Sequence, residues 1–258
     1  MSKLSTVLLT VAATLAASSS SASDNKIESK LADLFAVQGA QASHFKTIDK
    51  VDLPRSFNVV EAGGRIMYVS DDMSTIIEGS IIDVSNGLLL AEDFADRALK
   101  PVTSDLIKNF NRDNGIIYKP KGEKLNTIFI FSDITCGYCA KLHSEIPSIN
   151  EAGIEVVIIP FYRGYGAEGF SESQPYAVTT AIYSETDPEK RRKLHDDSFE
   201  GKSVDTTTVN PLGASIVKKG HELGQAVGLQ GTPLIVDSEG NRVAGYIPAE
   251  TIIQKFVK

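Results

Sequence analysis

The chain has 258 residues, is 42% hydrophobic and 23% charged, and carries 20 Gly, 10 Pro and no Trp. These proportions exclude a collagen, a coiled-coil rod and a wholly disordered chain, and the length allows one to two domains. With 26 Lys+Arg against 33 Asp+Glu the formal net charge is −7. The longest basic run, Lys190-Arg191-Arg192-Lys193, adjoins acidic residues, so the basic face that nucleic-acid binding needs is not expected.

Residues 1–23 hold one charged side chain, Lys3, an apolar stretch from Val7 to Ala17, and a Ser-rich tract ending Ser21-Ala22-Ser23. A positive start, a short apolar core and a small-residue cleavage zone are the three parts of a secretory leader, too short to span a bilayer. Cleavage near Ala22 or Ser23 would release a soluble, exported protein.

From residue 25 to 37, Ile27, Leu31, Leu34 and Phe35 keep helical spacing. Phe57–Glu61, Arg65–Ser70 and Thr75–Val84 are β-branched runs separated by Gly63-Gly64 and Asp71-Asp72, which predicts an antiparallel meander. So small a sheet has little core of its own, and dimerisation over residues 24–85 would cover it. Residues 86–112 read as a linker helix, with Ala91, Phe94, Ala95, Ala98 and Leu99 in helical register and a bend expected at Pro101.

Residues 113–258 form the second expected domain. Asn126–Ser132 and Ile154–Ile159 suit buried strands, and Cys139, Leu142, Ile146 and Ile149 between them keep helical spacing. Tyr176–Tyr183 and Ile216–Leu229 are predicted helical. Leu234–Asp237 and Arg242–Tyr246 flank the turn Ser238-Glu239-Gly240-Asn241, and Pro248 is expected at the first position of a last helix.

Only two cysteines exist, in Cys136-Gly137-Tyr138-Cys139. A disulfide across so short a loop removes little entropy from the unfolded chain, so the pair is not a staple. It falls on the turn from a buried strand to a helix, where free N–H groups and the helix dipole stabilise a thiolate on the first cysteine and the second lies one turn along. A four-ligand zinc site lacks its other half, and a c-type haem site would need His where Ala140 stands. The chemistry expected is thiol–disulfide exchange, with no metal and no cofactor.

The stretch Phe131-Ser132-Asp133-Ile134-Thr135-Cys136-Gly137-Tyr138-Cys139, followed by Lys141-Leu142-His143, resembles the active site of the DsbC/DsbG family of periplasmic thiol:disulfide interchange proteins, and its DsbC branch most closely. Gly231-Thr232-Pro233 is similar to that family's cis-proline loop. The resemblance implies an α/β chain: a thioredoxin-like catalytic domain preceded by a small α+β, cystatin-like dimerisation domain and a linker helix. It further implies a periplasmic homodimer that reduces and reshuffles wrong disulfides in misfolded exported proteins, binds unfolded substrate like a chaperone, and receives electrons from a DsbD-like membrane thiol reductase. Cys136 and Cys139 would be catalytic, Gly137 and Tyr138 would tune the redox poise, and Thr232 and Pro233 would bind substrate. A cis Thr232-Pro233 bond would offer the Thr232 backbone to an extended strand, although sequence alone favours trans.

Two departures stand out. Some relatives carry a second, structural cysteine pair, and here Tyr183-Ser184 occupies the region where one such cysteine is expected. Thioredoxin and related oxidases place a buried carboxylate six residues before the first cysteine, where this chain has Ile130, so the Cys139 proton must leave through water or another group. His143, one turn past Cys139, is open to a solvent-facing or a tuning role. His44, His195 and His221 have no partner visible in sequence. Gly164-Tyr165-Gly166-Ala167-Glu168-Gly169 fits a dinucleotide fingerprint in spelling only, because four residues separate it from the preceding strand and Pro175 follows. The rival reading is an exported holdase whose cysteines are incidental.

Overall fold

The computed structural model describes residues 22–34, 41–52, 56–62, 65–79, 81–83 and 88–257; the leader expected over 1–23 lies almost entirely outside them. Helix α1 (Ala22–Leu34) begins earlier than the periodicity over 25–37 suggests and buries Ile27 and Leu31, whereas Phe35 lies outside the described residues. The chain then forms an antiparallel sheet in the order β1 (Lys46–Asp52), β2 (Ser56–Ala62), β3 (Arg65–Ser70), β4 (Ile76–Glu78). The expected single run Thr75–Val84 is broken: β4 ends at Glu78, and Gly79 takes a φ of +143°, which costs a side-chain-bearing residue dearly. Beyond it β5 (Ile82–Asp83) pairs with β6 (Leu88–Leu89).

Side-chain alternation gives this sheet two apolar faces. Val60, Met67 and Val69 pack with Ile27 and Leu31 of α1, and Phe57, Val59 and Tyr68 pack with Phe94 of helix α2 (Leu90–Lys108). Among the described residues the core this sheet makes for itself is small, six buried residues on one face and four on the other. Helix α1 contributes apolar cover on one side and Phe94 of α2 on the other, where Ile48, Ile66, Ile77 and Ile81 remain partly buried. Helix α2 continues through Pro101. Backbone contacts divide the chain into two compact units, and the division falls inside this helix, between Leu99 and Lys100.

The second unit is a five-stranded sheet in the order β11-β10-β8-β9-β7, built from β7 (Ile116–Tyr118), β8 (Asn126–Ser132), β9 (Ile154–Pro160), β10 (Leu234–Asp237) and β11 (Arg242–Ala244). Strands β8 and β9 are parallel and joined through α3 (Gly137–Glu151); the other pairings are antiparallel. Ile128, Ile130, Val156 and Ile158 face Leu142, Ile146 and Ile149 of α3, while Phe129, Phe131, Val157 and Ile159 face Ile107 and Val227. Both faces of the central strands are thus buried, which is why they read as near-continuous apolar runs.

Helices α4 (Gln174–Ser184), α5 (Pro188–Phe199), α6 (Pro211–Ala226) and α7 (Ala249–Phe256) complete the unit. Pro248 is the N-cap of α7 rather than its first residue, its carbonyl accepting from Ile252 N at 3.1 Å. Helix α5 is anchored by buried Arg191, whose Nη1 donates to the Asp113 carbonyl at 2.6 Å and whose Nε donates to that of Glu185 at 2.7 Å. Among the described residues no helix is long and apolar enough to cross a membrane.

Candidate active site

Strand β8 ends at Ser132 and helix α3 begins at Gly137 with Cys136 as its N-cap residue. Asp133 shapes the turn between them. Its buried carboxylate accepts from Thr135 N at 2.7 Å, Thr135 Oγ1 at 2.7 Å and Arg163 N at 2.8 Å, and it pairs with Arg163 Nε at 3.1 Å. The Cys136 N–H donates to the Asp133 carbonyl at 3.0 Å. The first cysteine is thereby fixed where the helix N-terminus opens.

Both cysteines are free thiols. The Cys136 thiol donates to the Thr232 carbonyl at 3.3 Å, and the Thr232-Pro233 peptide is cis. The structure thus brings Thr232 to the cysteine pair. Burial opposes a thiolate on Cys136, but contacts with Thr232, the backbone and side chain of Cys139 and the backbone of Tyr138 outweigh it and draw the pKa below the ordinary thiol value. Cys139, 2% exposed, is pushed by burial up to about 11. The same side chain at the two ends of one helical turn is thus displaced in opposite directions.

Gly137 faces open space, and nothing lies within 4 Å of where a Cβ would stand. Tyr138 is 64% exposed and stacks on Tyr246, with ring centroids 6.3 Å apart, while Lys141 Nζ sits 4.3 Å from the Tyr246 ring centre. An aromatic, cationic rim therefore borders the first turn of α3.

The four histidines divide into two kinds. His44 accepts from Gln41 N at 3.1 Å within a local turn, and His221 stacks between Phe161 and Tyr165 at 4.6 and 4.7 Å. His143 and His195 meet behind Cys139. His143 Nε2 lies 3.2 Å from Asp196 Oδ1, and its ring stacks on Phe199 at 4.7 Å. The Tyr118 hydroxyl donates to Asp196 Oδ1 at 2.6 Å and lies 2.8 Å from His195 Nδ1. Sequence reasoning missed this cluster, apart from the spacing of His143 one turn beyond Cys139.

Burial and the neighbouring His143 drive the His195 pKa down to about 3, so that ring is neutral. Burial opposes ionisation of Asp196, yet hydrogen bonds from His143 and Tyr118 hold its pKa below the usual carboxylate value. Candidate ligand atoms of His143, His195 and Asp196 lie within 4.8 Å of one another. Asp196 Oδ1 and His195 Nδ1 are already committed to the hydrogen-bond network.

The structure leaves the Gly164–Gly169 segment as a chain of turns with α4 starting only at Gln174, so the segment lacks the helix a dinucleotide loop requires.

Comparison with known proteins gives two family matches, a disulfide bond isomerase N-terminal domain over residues 17–92 and a thioredoxin-like domain over residues 114–258. The thiol:disulfide interchange protein DsbC of Haemophilus influenzae is 31% identical over 98% of this chain and 96% of its own length. The DsbC of Escherichia coli K12 is 32% identical over 71% of this chain and 69% of its own length. Among solved structures, a disulfide interchange protein from Neisseria gonorrhoeae matches with 24% identity and a TM-score of 0.42, covering 57% of this chain and 97% of that one.

Proposed function

The chain belongs to the DsbC family of thiol:disulfide interchange proteins, which are disulfide isomerases, and on that premise we propose that Cys136 and Cys139 reduce and reshuffle wrong disulfides in misfolded exported proteins. The observation that carries this reading is the placement of two free thiols on the first turn of α3, with Cys136 at the helix N-terminus beside the cis Thr232-Pro233 peptide. Cys136 attacks a substrate disulfide; either a substrate thiol then displaces Cys136 to complete isomerisation, or Cys139 does so to complete reduction.

The lowered pKa acts mainly on departure. An ordinary thiol of pKa about 8.5 is roughly 3% thiolate at neutral pH, so lowering the pKa raises the thiolate fraction. Intrinsic nucleophilicity falls at the same time with a slope of about 0.4–0.5, which cancels much of the gain in attack. A low-pKa sulfur nevertheless leaves a mixed disulfide faster, and the reduced state is stabilised. An isomerase needs both, because it must rest reduced and release its substrate.

Thr232 and Pro233 are assigned to substrate binding, with the Thr232 backbone beside Cys136 offering polar groups to an extended strand. Gly137 and Tyr138 are assigned to tuning the redox poise. The match over residues 17–92 supports a homodimer assembled through residues 24–85, with 86–112 as linker and 113–258 as catalytic domain. Export by the leader over 1–23 to the periplasm, chaperone-like binding of unfolded chains, and re-reduction by a DsbD-like membrane thiol reductase complete the proposal.

The test is refolding of scrambled ribonuclease alongside trapping. Cys139→Ala should accumulate mixed disulfides at Cys136, and Cys136→Ala should abolish activity. Adducts found only in the Cys136→Ala protein would reverse the roles. Unfolded-protein binding with no isomerase activity to lose would make the chain a holdase.

A further inference from the structure

The resolving thiol is buried and has a proton to lose; position 130 is Ile, and the neighbouring Asp133 carboxylate is occupied by four donors. We propose that His143, oriented by Asp196, accepts the Cys139 proton through one water and passes it to solvent. The inference rests on the exchange reaction assigned above and names the group that completes it.

Four observations carry it. His143 stands four residues after Cys139 on α3, so the two share a helix face. Its Nε2 faces the Asp196 carboxylate at 3.2 Å and therefore holds the ring proton of the neutral form, leaving Nδ1 as the acceptor. That Nδ1 is buried with no hydrogen-bond partner among the described residues, an expensive arrangement unless a partner is supplied.

The fourth observation is a small, mainly apolar cavity of about 10 Å³, near the least space one water occupies, whose polar lining is Cys139, Ser132, His143 and His195. His143 also lines a larger outer cavity of about 590 Å³ beside Tyr118, Ala140 and Asp196. It is the histidine that borders both spaces.

The surrounding charges fit this role. Asp196 pairs with the imidazolium when it forms, Tyr118 donates to Asp196, and neutral His195 lies 5.1 Å from His143 ring to ring without adding a like charge. Lys119, Lys121, Arg192 and Glu200 border the outer cavity. On the inner side Cys136, Ser132, Asp133 and Thr232 interact with Cys139, and Arg163 contributes a cation that interacts with both cysteines. In the step itself the Cys139 S–H proton moves through water to His143 Nδ1. The freed sulfur electron pair forms the Cys139–Cys136 bond, the bond from Cys136 to the substrate sulfur breaks, and that sulfur leaves as a thiolate. The imidazolium then returns its proton through the outer cavity.

Equimolar reaction of the reduced full-length chain with a chromogenic aromatic disulfide separates the events. A first release of coloured thiol reports attack by Cys136, and a second reports resolution by Cys139. His143→Gln should slow the second release by about 100-fold, as expected for loss of a positioned proton acceptor, while the first is unchanged and the second becomes proportional to hydroxide. In the unaltered protein the second rate should bend at the pH where the His143 ring titrates by NMR, a readout that needs no variant. A normal second release in His143→Gln, equal slowing of both, or a rate passing straight through that pH would overturn the proton route alone. Absence of any second release from the unaltered protein would overturn the exchange reading and this inference together.

Discussion

Cys136 and Cys139 carry the same side chain, so their opposite behaviour is a statement about environment, and it predicts how stability follows pH. Cys136 has a lowered pKa in the folded state, so its stabilisation is complete above the unfolded thiol value and is lost as pH falls through the folded value. Cys139 is raised to about 11, so its contribution is complete below the unfolded value and is lost as pH rises toward that number. Relative to a protein with both cysteines changed to Ala, the reduced chain should gain most stability near the unfolded thiol pKa and less on either side. Urea midpoints against pH test this, and thiolate absorbance should rise in two separate steps. Asp133 makes a second residue-scale prediction. Replacing it with Ala strands four donors around one buried carboxylate and should destabilise the fold by about 2–4 kcal/mol, read as a lower unfolding midpoint.

Element by element, what the sequence disclosed depended on whether apolar periodicity marked the segment. Strands β8 and β9 are buried on both faces and were legible as apolar runs; α3 was legible from Leu142, Ile146 and Ile149. Strand β1, Lys-Thr-Ile-Asp-Lys-Val-Asp, alternates weakly and passed unnoticed, and β7 is three residues long. Helix α5 is almost wholly polar and buries Arg191 and His195 instead of an aliphatic stripe. Its signal was the Asp187-Pro188 start, where the Asp187 carboxylate accepts from Glu189 N and Lys190 N. Missing α5 also hid the His143, His195 and Asp196 cluster, whereas the cysteine motif, being local in sequence, was fully legible.

Two predictions belong to elements. In α6 a Cβ on Gly220 would stand 2.3 Å from the Pro160 carbonyl, so Gly220→Ala should cost about 1–3 kcal/mol, although Ala favours a helix. In the first turn of α3, exchanging Gly137-Tyr138 for Pro-His should move the reduction potential by at least ~30 mV, about 1.4 kcal/mol for the couple. Thr232, Cys139 and the Tyr138 backbone favour the Cys136 thiolate, and the new imidazole at position 138 would add a titratable donor beside them. An unchanged glutathione equilibrium would make the dipeptide a spacer.

For the whole molecule, the expectation that most needs measurement is assembly. Sedimentation of the full chain should give a dimer, and a monomer would remove the proposed role of residues 24–85. On the face covered by Phe94, Ile48, Ile66, Ile77 and Ile81 are only partly buried, so substitutions there are the ones to examine by sedimentation.

The cysteine inventory bears on how such a protein comes into being. Every sulfhydryl in the chain belongs to the reactive turn, and the region around Tyr183 that could have carried a second pair is filled by aromatic and hydroxyl side chains. A newly made copy in an oxidising compartment can close only one intramolecular disulfide, that of the reactive turn. Its own maturation therefore requires no pre-existing copy of itself, which spares the cell a circular dependence at the start of oxidative folding. Denatured, fully reduced chain should regain its native circular dichroism in the presence of reductant, and removing the reductant should create no population of misbridged monomers.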